Sequence, residues 1–426
     1  MSGAVHQPKV IAKRHIKAAR QPLLSSCAIA AALAAAGHSA PARAQVAPTP
    51  NPSYVATSSV VGGTASVNHG TGATPYTQIT VNSSRAIIEW TPTNSPGSDG
   101  VVAFQSGGTA IFESGGSDYV VLNRILPSGN NAVSFNGITE SVIGSVDGGP
   151  RGGTIWFYSP GGIILGSSAR FDVGSLGLTT ADILNSDFLD GNNSYSFAAG
   201  ANSRAQVTIN SGAQINALNE GSYVAIVSPR ITQAGTVTVN GSAAYVAAEA
   251  ADITINGGLF NIAVQTGSVV DAGGETTLTH SGTTTGAAPT SGSDPQAIYM
   301  VAMPKNDAVT MLVGGTVGYA TSASVENGTV ILSSGMNLTS SNNFQGGVNV
   351  TTTAGPAPTV NSSLSIANGA TIRSRLTGVA RTNAAISQLG AGTTSFASSV
   401  SLTAGGIASI TANGGGNVSF AGDVTL

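Results

Sequence analysis

From about residue 76 onward the chain is a succession of short runs in which apolar and polar residues alternate, interrupted by Gly, Asn and Ser. Gln78-Ile79-Thr80-Val81-Asn82 and Gly153-Thr154-Ile155-Trp156-Phe157 are typical. A period of two sends successive side chains to opposite sides of an extended backbone, so each run predicts a strand. No long segment carries a 3.6-residue apolar period with caps at its ends, and helix is expected to be scarce. Residues 298–303, 309–313, 329–332 and 348–350 predict further strands with a poorer period. They follow a Gly/Thr/Ser/Pro-rich stretch, 279–297, that reads as a loop or a break.

Between Arg204 and Ile262 the runs align on themselves at an offset of 22 residues. Ile209, Ile231 and Ile253 coincide, as do Ile215, Val237 and Leu259. Tyr223-Val224-Ala225 falls on Tyr245-Val246-Ala247, and Gly235 on Gly257. A strand-only repeat this short buries its apolar face against its neighbours, which predicts the coils of a parallel β-helix. A β-sandwich, with hairpins and no fixed register, is the alternative.

Composition fits the stacked reading. Charged residues make 8% of the 426 positions, hydrophobic ones 41%, and glycine occupies 56. Disordered charged tails and collagen are excluded, the first by hydrophobicity and the second by the missing Gly-X-Y period. Stacked coils bring equivalent residues to about 4.8 Å from one another, and a ladder of like charges at that spacing would repel. Val, Ile, Ala, Thr, Ser and Asn in the strands are then a consequence of the architecture.

The first 44 residues read as a secretory signal. Lys9, Lys13, Arg14, Lys17 and Arg20 precede an Ala-rich apolar stretch, and Ala42-Arg43-Ala44 offers a cleavage site after Ala44. Leu24-Ser25-Ser26-Cys27 lacks the preceding apolar run of a lipoprotein box. Beyond Ala44 there remain ten basic and 19 acidic residues, a net charge of −9, and one lysine, Lys305. Nucleic acid is therefore not expected as a partner, because phosphate binding needs clustered Lys and Arg. Cys27 is the only cysteine, so no disulfide is expected. The Pro-rich run from Val46 to Pro52, with Pro48, Pro50 and Pro52, predicts an extended, exposed entry to a Pro/Gly/Ser-rich leading segment.

Catalytic or metal chemistry finds little support. His69 and His280 are far apart in sequence, and Asp182, Asp187 and Asp190 lack the alternating ligands and central Gly of a calcium loop. Gly414-Gly415-Gly416 lacks the Asp of a calcium-binding nonapeptide. No nucleophile elbow, Walker loop or dinucleotide fingerprint occurs. No cofactor, no metal and no enzymatic activity are expected. Trp90, Phe104, Trp156, Phe157 and Tyr158 are read as capping the end of the helix, with an exposed sugar-stacking platform as the alternative.

One ordered set of motifs carries a resemblance. Residues 118–126 contain Asn123-Arg124-Ile125. Gly153-Thr154-Ile155-Trp156 leads into Ser159-Pro160-Gly161-Gly162-Ile163, and residues 169–176 and 182–189 follow, the latter with Asp187-Phe188-Leu189. Arg85 to Trp90 and Val101 to Phe104 precede them, and Tyr223 to Arg230 and Gly235-Thr236-Val237 come after. In this order the motifs resemble the N-terminal secretion domain of the two-partner secretion exoproteins, the filamentous haemagglutinin family, over roughly residues 76–265. The family usually has Asn-Pro-Asn-Gly at the turn. Here Gly161 replaces the second Asn and is expected to supply its positive φ, while the shorter Ser159 forfeits an amide hydrogen bond.

The resemblance implies an all-β, right-handed parallel β-helix with an N-terminal capping region. It divides the chain into a signal peptide (1–44), a leading segment (45–75), the secretion domain (76–200), coils of 22-residue period (201–278), a loop (279–297) and further coils (298–426). The strand-like run at residues 418–426 has no cap and reads as part of a larger exoprotein. The implied function is export from a Gram-negative cell through the general secretory machinery, the periplasm and a dedicated outer-membrane β-barrel transporter. The product would be a secreted or cell-surface adhesin, with a receptor on a host or neighbouring cell. Asn123, Arg124, Ile125, Ser159, Pro160, Gly161, Gly162 and Ile163 are the residues implied in transporter recognition, or in the coil on which it depends. The alternative is a stand-alone secreted β-helix that binds or degrades glycans, which would gather acids with Arg or Lys in one cleft.

Overall fold

The computed structural model describes residues 49–144, 149–270, 275–288, 295–306, 308–320, 328–342, 348–357 and 359–426. The expected signal, with Cys27 and the Ala42 and Ala44 cleavage site, lies outside them. Strands stack in three columns that the chain visits in turn. The first column runs Arg85–Pro92, Val120–Ile125, Thr154–Tyr158 and Ser175–Thr179, each parallel to the last. The second runs Val101–Gln105, Ala132–Phe135, Ile163–Leu165 and Gln206–Ile209. The third runs Tyr76–Val81, Thr109–Ser114, Ile138–Ser141 and Arg170–Asp172. Stacking continues to Ala408–Asn413, Gly416–Phe420 and Val424–Thr425. The architecture is the expected parallel β-helix, and the one α-helix among the described residues is Asn185–Leu189.

Alternate side chains of each strand fill the lumen. Val121, Asn123 and Ile125 lie over Ala86, Ile88 and Trp90, and Val121 and Asn123 lie under Ile155 and Phe157. At the N-terminal end the leading segment forms two strands after its Pro-rich entry. Ala56–Gly62 and Ala65–His69 fold back antiparallel on Arg85–Pro92 and Tyr76–Val81. They satisfy the backbone groups that the topmost coil would leave unpaired. Tyr54, fully buried, enters the lumen with its ring 5.4 Å from Trp90, 4.7 Å from Phe104 and 6.2 Å from Phe157, and its hydroxyl 2.9 Å from Thr139 Oγ1. Trp90, Phe104, Trp156 and Phe157 are buried too, so these four rings offer no sugar-stacking platform.

Three excursions leave the helix and form one antiparallel sheet against its first column. They are Asp182–Ile183 with Ser194–Ala198, Ala250–Asn256 with Leu259–Thr266, and Met336–Asn342 with Val348–Ala354. The second hairpin turns at Gly257 and Gly258, with φ of +54° and +78°, as a tight right-twisting connection requires. A second apolar core fills the space between, with Leu122, Trp156, Ala225, Tyr299 and Ile331 from the helix and Tyr195, Phe197 and Phe260 from the sheet. Trp156 lies across Gly177 in the next coil, and any Cβ at Gly177 would penetrate its indole.

The excursions also account for the repeat. Ile215 does lie on Val237, but Ile226, not Tyr223, is paired with Tyr245, and Val207, not Ile209, with Ile231. Ile253 and Leu259 belong to the excursion hairpin, where period-two strands mimic the coil pattern. A constant 24-residue register appears instead at the C-terminal end, in Leu376, Val400 and Val424, in Ile372, Phe396 and Phe420, and in Ala384 and Ala408. The expected loop at 279–297 holds coil strands at both edges: Leu278–His280 and Thr283–Gly286, then Ala297–Ala302. Residues 348–350 fall in an excursion rather than a coil.

His280 is buried between coils. Its Nδ1 lies 2.9 Å from the Gly314 carbonyl and its Nε2 2.9 Å from Thr284 Oγ1, an arrangement that suits the neutral ring with hydrogen on Nδ1. Burial lowers its pKa from 6.5 to about 4, against the opposing hydrogen bond to Gly314. The unfolded chain therefore binds a proton that the folded chain refuses between those values. Its contribution to stability is complete above pH 6.5 and falls by about 3 kcal/mol as the pH drops to 4. In urea titrations at pH 7 and pH 4.5, His280→Gln is expected to lose less stability on acidification than the wild type.

Candidate functional site

Asn123 occupies an inward position where the alternation calls for an apolar residue. It is fully buried between two coils, accepting from Trp90 Nε1 at 3.0 Å and donating to the Trp156 carbonyl at 3.1 Å. One carboxamide thus ties the first, second and third coils together, and both of its polar atoms are satisfied. An amide suits this task because it presents an acceptor and a donor from one planar group. Ile125, next inward, is buried against the lumen aromatics.

Arg124 points outward on the same strand. Its guanidinium pairs with Asp182 at 3.1 Å, donates to the Ile183 carbonyl and lies 5.9 Å from the centre of the Tyr158 ring. Burial pushes the Tyr158 phenol up to about 12; the Asp182 charge adds to the rise and Arg124 opposes it. Arg124 is thus the clasp between the coil wall and the start of the first excursion. Arg124→Ala is expected to cost about 1–2 kcal/mol, since Asp182 is partly solvated. Limited proteolysis should then cut residues 184–194 faster while the coils stay protected.

The turn that follows sits one coil further on. Ser159 is buried; its amide donates to the Thr179 carbonyl at 3.1 Å and its carbonyl accepts from Gly162 at 3.3 Å. Its hydroxyl is buried with no hydrogen-bond partner. The expected role of Gly161 is corrected: Gly162, at φ +134°, takes the positive φ. Gly161 is required for a different reason, because a Cβ there would strike the carbonyl oxygens of Asn130 and Asn131 in the coil above. Ile163 re-enters the lumen, fully buried.

The implied residues therefore converge on one corner of adjacent coils. Asn123, Ile125, Ser159, Gly162 and Ile163 build the corner from inside, while Arg124, Pro160 and Gly161 are partly accessible at its surface. Leu126, 38% exposed, stands beside them. Trp90, Trp156 and Asp182 lie within the motifs that carry the resemblance but were given no part in the site, although they hold Asn123 and Arg124 in place. Trp90 lies two positions past Ile88, the register partner of Asn123 on one side, and Trp156 one position before Phe157, its partner on the other.

Two shallow clefts flank the third column. In one, Asp118 Oδ1 accepts the amides of Tyr119 and Gly153 at 3.0 and 3.2 Å. In the other, Asp172 pairs with Arg170 at 2.7 Å and accepts from Asn216 at 2.7 Å. These carboxylates close turns and coils. Asp187 and Asp190 bond locally to Ser186 and Asn192. Among the described residues no group of three or more His, Cys, Asp or Glu is placed to hold a metal ion.

No protein-family model and no curated protein matches the chain. Among solved structures it is similar to the HMW1 secretion domain from Haemophilus influenzae, with a TM-score of 0.43 and 14% identity over 85% of this chain and 99% of that one. It is also similar to a filamentous hemagglutinin secretion domain, with a TM-score of 0.38 and 15% identity over 86% of this chain and 99% of that one.

Proposed function

We propose that the chain is a secreted, non-enzymatic exoprotein whose first coils act as an export signal for a dedicated outer-membrane β-barrel transporter. The later coils form the base of a β-helical adhesin that faces a receptor on a host or neighbouring cell. The observation that carries this reading is the corner itself. The motif residues 123–125 and 159–163, 36 positions apart at their starts, meet on adjacent coils around a buried amide that ties three coils together. In some folds a buried polar group that could be apolar serves specificity more than stability, and the reading assigns that part to Asn123.

The fold supplies a rationale for directional export. The antiparallel cap closes the N-terminal edge, so coils can add only toward the C-terminus, each templated by the strand edges of the one before. A chain that emerges from a pore in an extended state can then fold as it appears. Each coil buries apolar area as it docks, which opposes back-sliding without a nucleotide energy source.

Expression in a Gram-negative host with and without the partner transporter tests the proposal. Surface or medium yield is expected only when the transporter is present, with the processed chain held in the periplasm when it is absent. Equal release in both strains would leave a stand-alone secreted β-helix.

A further inference from the structure

Lys305 is the one lysine among the described residues. Its Nζ lies 2.5 Å from Glu249 Oε2 and 3.3 Å from Asn202 Oδ1. Glu249 Oε2 also accepts the Asn202 backbone amide at 3.1 Å. The Glu249 side chain is only 3% exposed, and its second oxygen, Oε1, is buried with no hydrogen-bond partner. Asn202 is held at a backbone φ of +57°, at the surface, where the chain returns from the first excursion. An amine, a carboxamide and a buried carboxylate with a vacant oxygen have been brought together from three separate segments.

A plain ion pair needs neither the carboxamide on the amine nor the vacant oxygen. The amide carbon of Asn202 is one bond from the oxygen that Nζ already touches, and holding reactants at such separation replaces a bimolecular encounter by a unimolecular step. We propose that Lys305 and Asn202 become joined by an intramolecular isopeptide bond, with Glu249 as the proton carrier.

In this reaction Glu249 takes one proton from the Lys305 ammonium, and the freed Nζ lone pair attacks Cγ of Asn202. The carbonyl electron pair moves to Oδ1. As it returns, the Cγ–Nδ2 bond breaks and the proton held by Glu249 reaches Nδ2, which leaves as ammonia. The regenerated carboxylate takes the second Nζ proton and passes it to solvent or to the ammonia. The Nζ–Cγ amide is formed, nothing is oxidised or reduced, and Glu249 ends as it began. The exposed position of Asn202 gives the ammonia a way out.

The bond would close a loop between residues 202 and 305 that spans the second excursion and fasten the first excursion to the coil that follows Ala297–Ala302. It would form only after the three segments have met, so the chain stays linear until it folds. The inference does not depend on the export reading.

Peptide mapping by mass spectrometry of the purified, folded full chain tests it. A branched peptide containing both residues, lighter by one ammonia than the two linear peptides together, is expected in the wild type. Lys305→Arg, which keeps the charge, and Glu249→Gln should each yield linear peptides only. A wild type with Asn202 and Lys305 in separate unmodified peptides after prolonged incubation at neutral pH overturns the proposal. A branched peptide formed equally well by Glu249→Gln overturns the role of Glu249.

Discussion

Replacing Tyr54 by Ala is expected to remove about 3–5 kcal/mol from the unfolding free energy, the range for a buried aromatic truncated in a core. The ring closes the lumen and touches aromatic side chains of the first three coils: Trp90, Phe104, Phe112, Phe135 and Phe157. The cap strands above it cannot sink to fill the space, because their register with Arg85–Pro92 and Tyr76–Val81 is fixed by backbone hydrogen bonds. The loss also leaves the buried Thr139 hydroxyl without its phenol partner. Tyr54→Phe keeps the ring and should cost less, about 1–3 kcal/mol for the orphaned Thr139 hydroxyl alone. Chemical denaturation followed by tryptophan fluorescence separates the two, since Trp90 sits 5.4 Å from the substituted ring.

Asn123→Ala is expected to have the second large effect. It strands two buried partners at once, the Trp90 indole N–H and the Trp156 carbonyl. Each orphaned group costs about 1–3 kcal/mol, and the lost volume adds a cavity between the first and third coils. A drop of about 3–5 kcal/mol follows from these terms, localised to the N-terminal coils. Asn123→Leu, which fills the space without making either bond, should recover the cavity part alone. Hydrogen exchange should register the loss at the Val120–Ile125 and Thr154–Tyr158 amides and leave those of Val400–Ala404 unchanged.

How much of this was legible in the sequence depends on which surface each residue faces. Strands with solvent on their outer side, such as Gln206–Ile209 and Arg230–Gln233, alternate cleanly and were readable. Strands of the first column beneath the excursion sheet are covered on both sides and become unbroken apolar runs. Ala297–Ala302 is buried at every position, and residues 223–227 are buried or nearly so. That run of apolar residues was a signal for a second layer, and it was read as a repeat instead. The self-alignment failed because a register of coils is a register of strands, while the connections between columns vary in length and three of them carry excursions. The constant 24-residue spacing at the C-terminal end keeps several identities, Ala384 with Ala408, Gly392 with Gly416, Phe396 with Phe420 and Val400 with Val424, and is legible in the sequence.

At the site, Asn123 and Arg124 were found by resemblance, but their chemistry was not. Nothing local says that an Asn in a strand faces inward or that its two partners are a Trp on one coil and a backbone carbonyl on the next. Gly161 shows the same limit. Its sequence suggests a turn conformation, whereas its constraint comes from the carbonyls of Asn130 and Asn131, about 30 residues earlier, pressed against it by stacking. Tyr54 was hidden by its Pro-rich surroundings, which describe the chain on either side of it and not the lumen it enters.

The corner built around Asn123 is proposed to direct export. The most direct test compares the division between periplasm and cell surface for wild type, Asn123→Ala and Leu402→Ala, each expressed with the partner transporter. Leu402 is buried in the lumen far from the corner, and its truncation should cost a similar few kcal/mol, about 2–5. Asn123→Ala is expected to accumulate in the periplasm while Leu402→Ala reaches the surface as the wild type does. Equal surface yields for Asn123→Ala and the wild type would contradict it.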